Sequence, residues 1–196
     1  LLPLMDEFKT LYPEIILDIR LSDELSTLSR DDVDIAIRGG YAPNERVQAV
    51  RLMDNEFIPV AAASYLADRG TPKQALELKH HQGLFFRTPA GPNPWLCELN
   101  GQWLDVSASP VAISNNGKWL GEQAIAGRGI MMAPRWLMQD YFKSGELQEL
   151  FIEPTLKVSQ NPQLAIYLLY QKQQYLVPKV KVAVDFLVTQ FANAEI

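Results

Sequence analysis

The chain has 196 residues, 47% hydrophobic and 21% charged, the balance of a globular protein able to bury a full core. Its net charge of −5 and its 18 scattered basic residues argue against holding nucleic-acid phosphates unaided, which needs clustered Lys and Arg. Cys97 stands alone, so an intramolecular disulfide is excluded, and no apolar run approaches the length of a membrane span. Nothing at the start has the basic and apolar regions of a signal peptide. The chain begins at Leu1 rather than Met and reads as a fragment.

Taken in order, Leu4, Phe8 and Leu11 fall at helical spacing, with Pro3 in the first turn and Pro13 as a stop. Ile15, Leu17, Ile19 and Leu21 alternate as on a half-buried strand ending at Ser22. Ser22 and Asp23 are good N-caps for a short helix marked by Leu25 and Leu28. Val33, Ile35 and Ile37 then alternate up to Arg38, and the run stops at Gly39-Gly40. Together these form a strand–helix–strand unit of the kind that builds parallel sheets. Val47–Met53 and Glu56–Ala62 read as two further strands.

The middle of the chain predicts a helix over Ser64–Arg69 closed by Gly70, and another begun by Thr71-Pro72. Gly83–Arg87 reads as a strand, and Asn100-Gly101 joins Trp95–Leu99 to Gln102–Val106 as a hairpin. Val111–Ser114 is a strand, Asn115-Asn116-Gly117 opens a helix, Ile130–Ala133 is a strand, and Pro134 opens the next helix. The stretch after Gly145, with Pro154 and Pro162, reads as a linker. Gln163–Tyr170 is a strand, and the last helix starts at Pro178 with Val180, Val184, Leu187 and Phe191 as its apolar stripe. The expected fold is α/β with two lobes, residues 1–62 with 168–196 and residues 63–167, and a hinge of two crossing strands whose cleft suits a ligand.

No catalytic constellation is present. His80 and His81 lack partners at metal-ligand spacing and read as surface loop residues. Asp31, Asp32 and Asp34 read as a solvated strand entry, Cys97 as a buried small hydrophobe, and Trp95, Trp103, Trp119 and Trp136 as packing. Neither a metal nor a cofactor is expected. The positive signals are helix starts and strand ends with hydrogen-bonding groups: Ser22 and Asp23, Arg38 and Gly39, Asn115 and Asn116. Each also has a plain structural use, as an N-cap or in an ion pair of Arg38 with Asp34 or Asp23.

These residues, with Ala63-Ser-Tyr-Leu66, Gly70-Thr-Pro72, Phe86-Arg-Thr-Pro89, Gly91-Pro-x-Pro-Trp95, Gly127-x-Gly-Ile-x-x-x-Pro134 and Pro178-Lys-Val…Asp-Phe-Leu187, occur in an order that resembles the effector-binding domain of LysR-type transcriptional regulators, nearest the branch of the glycine-cleavage activator. The resemblance implies two Rossmann-like lobes joined by a two-strand hinge, related to type 2 periplasmic binding proteins. It implies a small-molecule effector, anionic or amino-acid-like, lined by Ser22, Asp23, Arg38 and Gly39 from one lobe and by Phe86, Arg87, Asn115, Asn116, Ala133 and Pro134 from the other. It implies a cytoplasmic homodimer or homotetramer that pairs Leu4 and Phe8 of the first helix with the partner's middle helix around Trp119 and Gln123. DNA would be bound only through a winged helix-turn-helix that, with a linker helix and the first strand, precedes this chain. A periplasmic solute-binding protein is the alternative with the same lobe plan.

Overall fold

A computed structural model of the chain describes residues 2–21, 33–40 and 47–193. It divides into two units, Leu1–Asn55 with Gln163–Ile196, and Glu56–Pro162. The first unit contributes α1 (Leu2–Leu11), β1 (Ile35–Gly40) and β2 (Gln48–Asp54). The second opens with β3 (Phe57–Ala61), α2 (Ala63–Arg69), a 3₁₀ turn (Ala75–His80), β4 (Gln82–Thr88) and the two-residue β5 (Gly91–Pro92). It continues through β6 (Leu96–Leu99), β7 (Gln102–Asp105), β8 (Ser109–Ser114), α3 (Gly117–Ile125), β9 (Ile130–Pro134), α4 (Arg135–Ser144) and β10 (Gln148–Glu149). The chain then returns to the first unit for β11 (Ala165–Tyr170) and α5 (Pro178–Asn193).

In the first unit β11 lies between β1 and β2 and is antiparallel to both. Its residues alternate between the two faces, as a strand's side chains must. Leu168 joins Phe8, Val180, Val184 and Leu187 under α1 and α5, while Ala165, Tyr167 and Leu169 pack on the other face with Val33, Ala36 and Val47. Phe8 is 2% exposed and its ring meets Phe186 at 5.2 Å.

In the second unit the sheet runs β10-β3-β9-β4, with β8 on the far side of β4. The β4–β8 and β4–β9 pairs are parallel, whereas β3 is antiparallel to both β9 and β10. Strand β9 feeds two cores by alternation. Ile130 and Met132 enter a cluster with Tyr65, Leu78, Phe85 and Trp95, and Met131 and Ala133 enter one with Leu120, Ala124 and Met138. Helices α3 and α4 cover the second face. Residues Asn100 and Gly101 turn the β6–β7 hairpin with φ of 52° and 75°, the positive values a tight hairpin loop needs.

Several expectations are corrected. Ile15–Leu21 pairs with no described strand: Ile15 and Leu17 pack on the core, but Ile16 and Leu21 are exposed, because alternation encodes a buried face and not a ladder partner. The expected parallel unit is therefore absent among the described residues; the helix of Leu25 and Leu28, and Asp31 and Asp32, lie outside them. The helix expected at Thr71-Pro72 begins instead at Ala75, where the Glu77 carboxylate accepts from the N–H groups of Lys73 and Gln74. The expected linker after Gly145 is woven into the second unit through β10 and the buried Leu147, Leu150, Ile152 and Leu156. The unit boundaries fall at Asn55–Glu56 and Pro162–Gln163, since β3 pairs wholly inside the second unit and β11 wholly inside the first.

His81 is also not a surface residue. It is 8% exposed, its Nδ1 lies 3.1 Å from the Tyr65 hydroxyl, and that hydroxyl accepts from the Gln82 N–H at 2.9 Å. Burial holds the imidazole below its ordinary 6.5, against the raising influence of Glu77. As pH falls, the unfolded chain takes up this proton first, so the stability is whole above 6.5 and is lost as pH drops towards the folded value. The melting temperature should fall on acidification from neutrality to about pH 5.5, and His81→Asn should flatten that dependence. A second expectation concerns Gly129, where a Cβ would stand 2.7 Å from the Gln82 carbonyl oxygen. Gly129→Ala should cost roughly 1–3 kcal/mol in denaturant unfolding.

Candidate functional site

The second unit brings three strand ends to one level by register. Phe86 on β4 is paired with Ser114 on β8, and Leu84 is paired with Met131 on β9, so two residues later Phe86 and Ala133 stand abreast. In a parallel arrangement these are carboxyl ends, where α/β sheets hold their ligands. Strand β3 runs the other way, pairing Ile58 with Ala133 and Phe57 with Pro134, so the chain enters this unit at that same end. Phe86 packs partly on the Leu120 cluster, and its carbonyl accepts from Asn93 N–H at 2.9 Å, while Arg87 is paired with Pro92 and stays exposed.

Asn116 and Asn115 divide the work at the start of α3. The Asn116 Oδ1 accepts from Trp119 N–H at 3.0 Å, a helix cap, and its own N–H donates to Ser114 Oγ at 3.0 Å. Asn115 is exposed. Beyond Pro134, Arg135 donates two bonds of 2.8 Å to Glu149 and one to Glu56, and its backbone N–H donates to the Glu56 carbonyl at 2.9 Å. The two carboxylates, Glu149 foremost, raise the guanidinium pKa, so Arg135 is a fixed positive brace behind Ala133 and Pro134.

In the first unit Arg38 is half-buried and faces Tyr167 on β11, and Gly39 faces Ile166. Gly40 pairs with Ala165, which pairs in turn with Asp54, so the Gly39-Gly40 end of β1 lies at the sheet end where β2 leaves and β11 arrives. Asn55, the last residue before the chain leaves, is buried and donates its N–H to the Leu164 carbonyl at 3.3 Å. A Cβ on Gly39 would stand 2.7 Å from Asn55 Nδ2, so a side chain there would displace the buried Asn55 amide. Asp34 is paired with Lys179 at 3.5 Å. Ser22 and Asp23 lie outside the described residues.

The residues expected at a subunit interface separate into two kinds. Phe8 is buried in its own unit and Leu4 packs beside it, so neither offers a partner much surface; the exposed residues of α1 include Leu2, Asp6, Lys9 and Leu11. Trp119 is 40% exposed, and with Gln123 one turn on it borders an open groove of about 410 Å³ on the second unit, shared with Leu84, Val111 and Arg128. Sequence reasoning did not single out Ser114, Asn55 or Arg128 for a site. Ser114 and Asn55 carried a signal in retrospect, as polar residues at strand ends beside glycine or asparagine.

Among the described residues no cluster of three His, Cys, Asp or Glu side chains could hold a metal, and no helix is long and apolar enough to cross a membrane. Cys97 is buried, and burial pushes its thiol up, the reverse of what a nucleophile needs. What the strand ends supply is cationic and amide donors, which suit an anion or a zwitterion.

A model of the LysR substrate binding domain matches residues 1–192. The HTH-type transcriptional regulator CrgA of Neisseria meningitidis serogroup C is 32% identical over 193 residues, covering 98% of this chain and 63% of that protein. The transcriptional activator TtdR of Escherichia coli K12 is 29% identical, covering 94% of this chain and 58% of that protein. The CrgA regulatory domain superposes with a TM-score of 0.81 at 30% identity, covering 96% of this chain and 90% of that one. Full-length AphB of Vibrio cholerae, at 23% identity and a TM-score of 0.81, shares the fold. The chain therefore belongs to the LysR substrate-binding domain family, with its type 2 periplasmic-binding-protein-like fold, and spans less than two thirds of the length of these regulators.

The division between the two asparagines is open to test. Asn116→Ala should lower stability by about 1 kcal/mol through loss of the α3 cap, measured by urea unfolding. Asn115→Ala should change it by less than about 0.5 kcal/mol.

Proposed function

We propose that this chain is the effector-sensing and oligomerisation domain of a bacterial LysR-type transcriptional regulator, cytoplasmic and not an enzyme. The observation that carries the reading is the family match over residues 1–192, joined to the placement of the candidate residues at strand ends in both units. A small anionic or amino-acid-like metabolite is the effector, engaged by Arg38 and Gly39 of the first unit and by Phe86, Arg87, Asn115 and the backbone at Ala133–Pro134 of the second. Ser22 and Asp23 complete the first set. Asn116 serves mainly as a cap, and Asn55 and Arg135 hold the binding residues in place.

Operator DNA is bound by a segment preceding this chain, in keeping with the net charge of −5 here. The domain self-associates as a dimer, or as a pair of dimers, through α1 of one copy and α3 of another. Effector binding shifts the balance between conformations of the assembly, and the DNA-binding segments follow.

The test is a thermal-shift screen of the chain against small mono- and dicarboxylates and amino acids at saturating concentration. One of them should raise the melting temperature by about 5 °C or more. Arg38→Gln or Arg87→Gln should abolish that shift while leaving the unliganded melting temperature close to wild type. Full retention of the shift in both variants would contradict the assignment of the site.

A further inference from the structure

The amino ends of β4, β8 and β9 lie together, at the opposite end of the sheet from the candidate site. Gln82, the first residue of β4, is where the surrounding pieces meet. Its N–H donates to the Tyr65 hydroxyl of α2 at 2.9 Å, a Cβ on Gly129 would press on its carbonyl oxygen, and it borders the groove beside α3. The same hydroxyl stands 3.1 Å from His81 Nδ1, and both side chains are buried. No buried side-chain nitrogen or oxygen among the described residues lacks a partner. One placement of protons satisfies this cluster: the phenol donates to Nδ1 and accepts from Gln82, while the ring proton sits on Nε2.

Protonation turns Nδ1 from acceptor into donor. Two N–H groups then point at one phenol oxygen, and the phenol proton loses the acceptor it used. In a buried cluster such a loss forces a rearrangement. The charged groups that face His81 decide its direction. Glu77, on the same 3₁₀ turn, attracts the imidazolium, whereas the neighbouring His80 and Arg69 of α2 repel it. Arg69 is itself paired with Asp68 at 2.9 Å. Strands β8 and β9 begin here at Ser109 and Ile130, which carry no charge. The N–H groups of Lys73 and Gln74 hold the exposed Glu77 carboxyl below the usual carboxylate range, so it stays ionised in weak acid.

We propose that Tyr65, His81 and Gln82 form an acid-sensitive latch between α2 and the start of β4. With His81 neutral the latch is closed. With His81 charged, the imidazole turns from Tyr65 to Glu77, and the edge of the unit that borders the groove loosens while β9 stays in place. Burial favours the neutral ring, so opening falls below the ordinary 6.5 of a histidine.

The experiment is nuclear magnetic resonance of the labelled chain from about pH 7.5 to about pH 5.5, the range that brackets a histidine's titration. The chain has two histidines, and comparison with His80→Gln identifies the His81 ring. Neutral His81 should be the Nε2–H tautomer; the Nδ1–H tautomer would overturn the proposal. The Ser109 N–H, which donates to the His81 carbonyl at 3.1 Å, reports on the latch together with Gln82. Protection of these two amides, corrected for the intrinsic pH dependence of exchange, should fall at least about tenfold as His81 titrates, with Met131 of β9 changing less than about threefold. His81→Asn, whose Oδ1 takes the phenol proton at any pH, should keep both protected throughout. Glu77→Gln, at an exposed position that leaves the fold intact, should move the opening to lower pH. An unmoved midpoint in that variant would overturn the proposal, as would titration of His81 with Gln82 and Ser109 still protected. Parallel loss at Met131 would do so too, because it marks general destabilisation by a buried charge.

Discussion

Strand β9 pairs antiparallel with β3 along one edge and parallel with β4 along the other, and most of the second unit follows from that placement. The backbone hydrogen bonds of both ladders fix its register, and a slip of one residue would turn Met131 and Ala133 away from the Leu120 cluster. Gly129 admits the strand, because any side chain there would press on the Gln82 carbonyl. The same register sets Ala133 abreast of Phe86 and of the entering β3. The candidate site is thus a consequence of sheet geometry, with Arg135 bracing it through Glu149 and Glu56.

The first unit uses the opposite device. Its central strand β11 is antiparallel to both neighbours, so the end of β1 at Gly39-Gly40 meets the end of the sheet through which the chain leaves and returns. Asn55 occupies that point, buried against Gly39 and bonded to Leu164. A change in what Arg38 and Gly39 touch would therefore be felt where β2 ends and β11 begins.

Elements with a strong local signal were legible in the sequence. The hairpin at Asn100-Gly101, the Asn116 cap, the Gly70 helix stop and the stripe of α5 depend on near neighbours only. What failed depends on distant ones. Ile15–Leu21 has the right alternation but no described strand to pair with, and residues 146–156 carry a weak pattern yet are held by β3, Gln74 and Lys73 from far along the chain. His81 read as a surface residue because nothing nearby announces the Tyr65 hydroxyl that buries it. In the site, the resemblance supplied the positions, whereas the separation of Asn115 from Asn116 and the close approach of Asn55 to Gly39 needed coordinates.

If the proposed effector is engaged by both units, the strand-end residues of each answer to the same small molecule. Backbone amide chemical shifts of the isotopically labelled chain, followed during titration with the carboxylate or amino acid that stabilises it most, address it directly. Residues 38–40 of the first unit and residues 86–87, 114–116 and 133–134 of the second should then move together, with one saturation curve. Shifts confined to a single unit, or centred on the groove at Trp119 and Arg128, would contradict it.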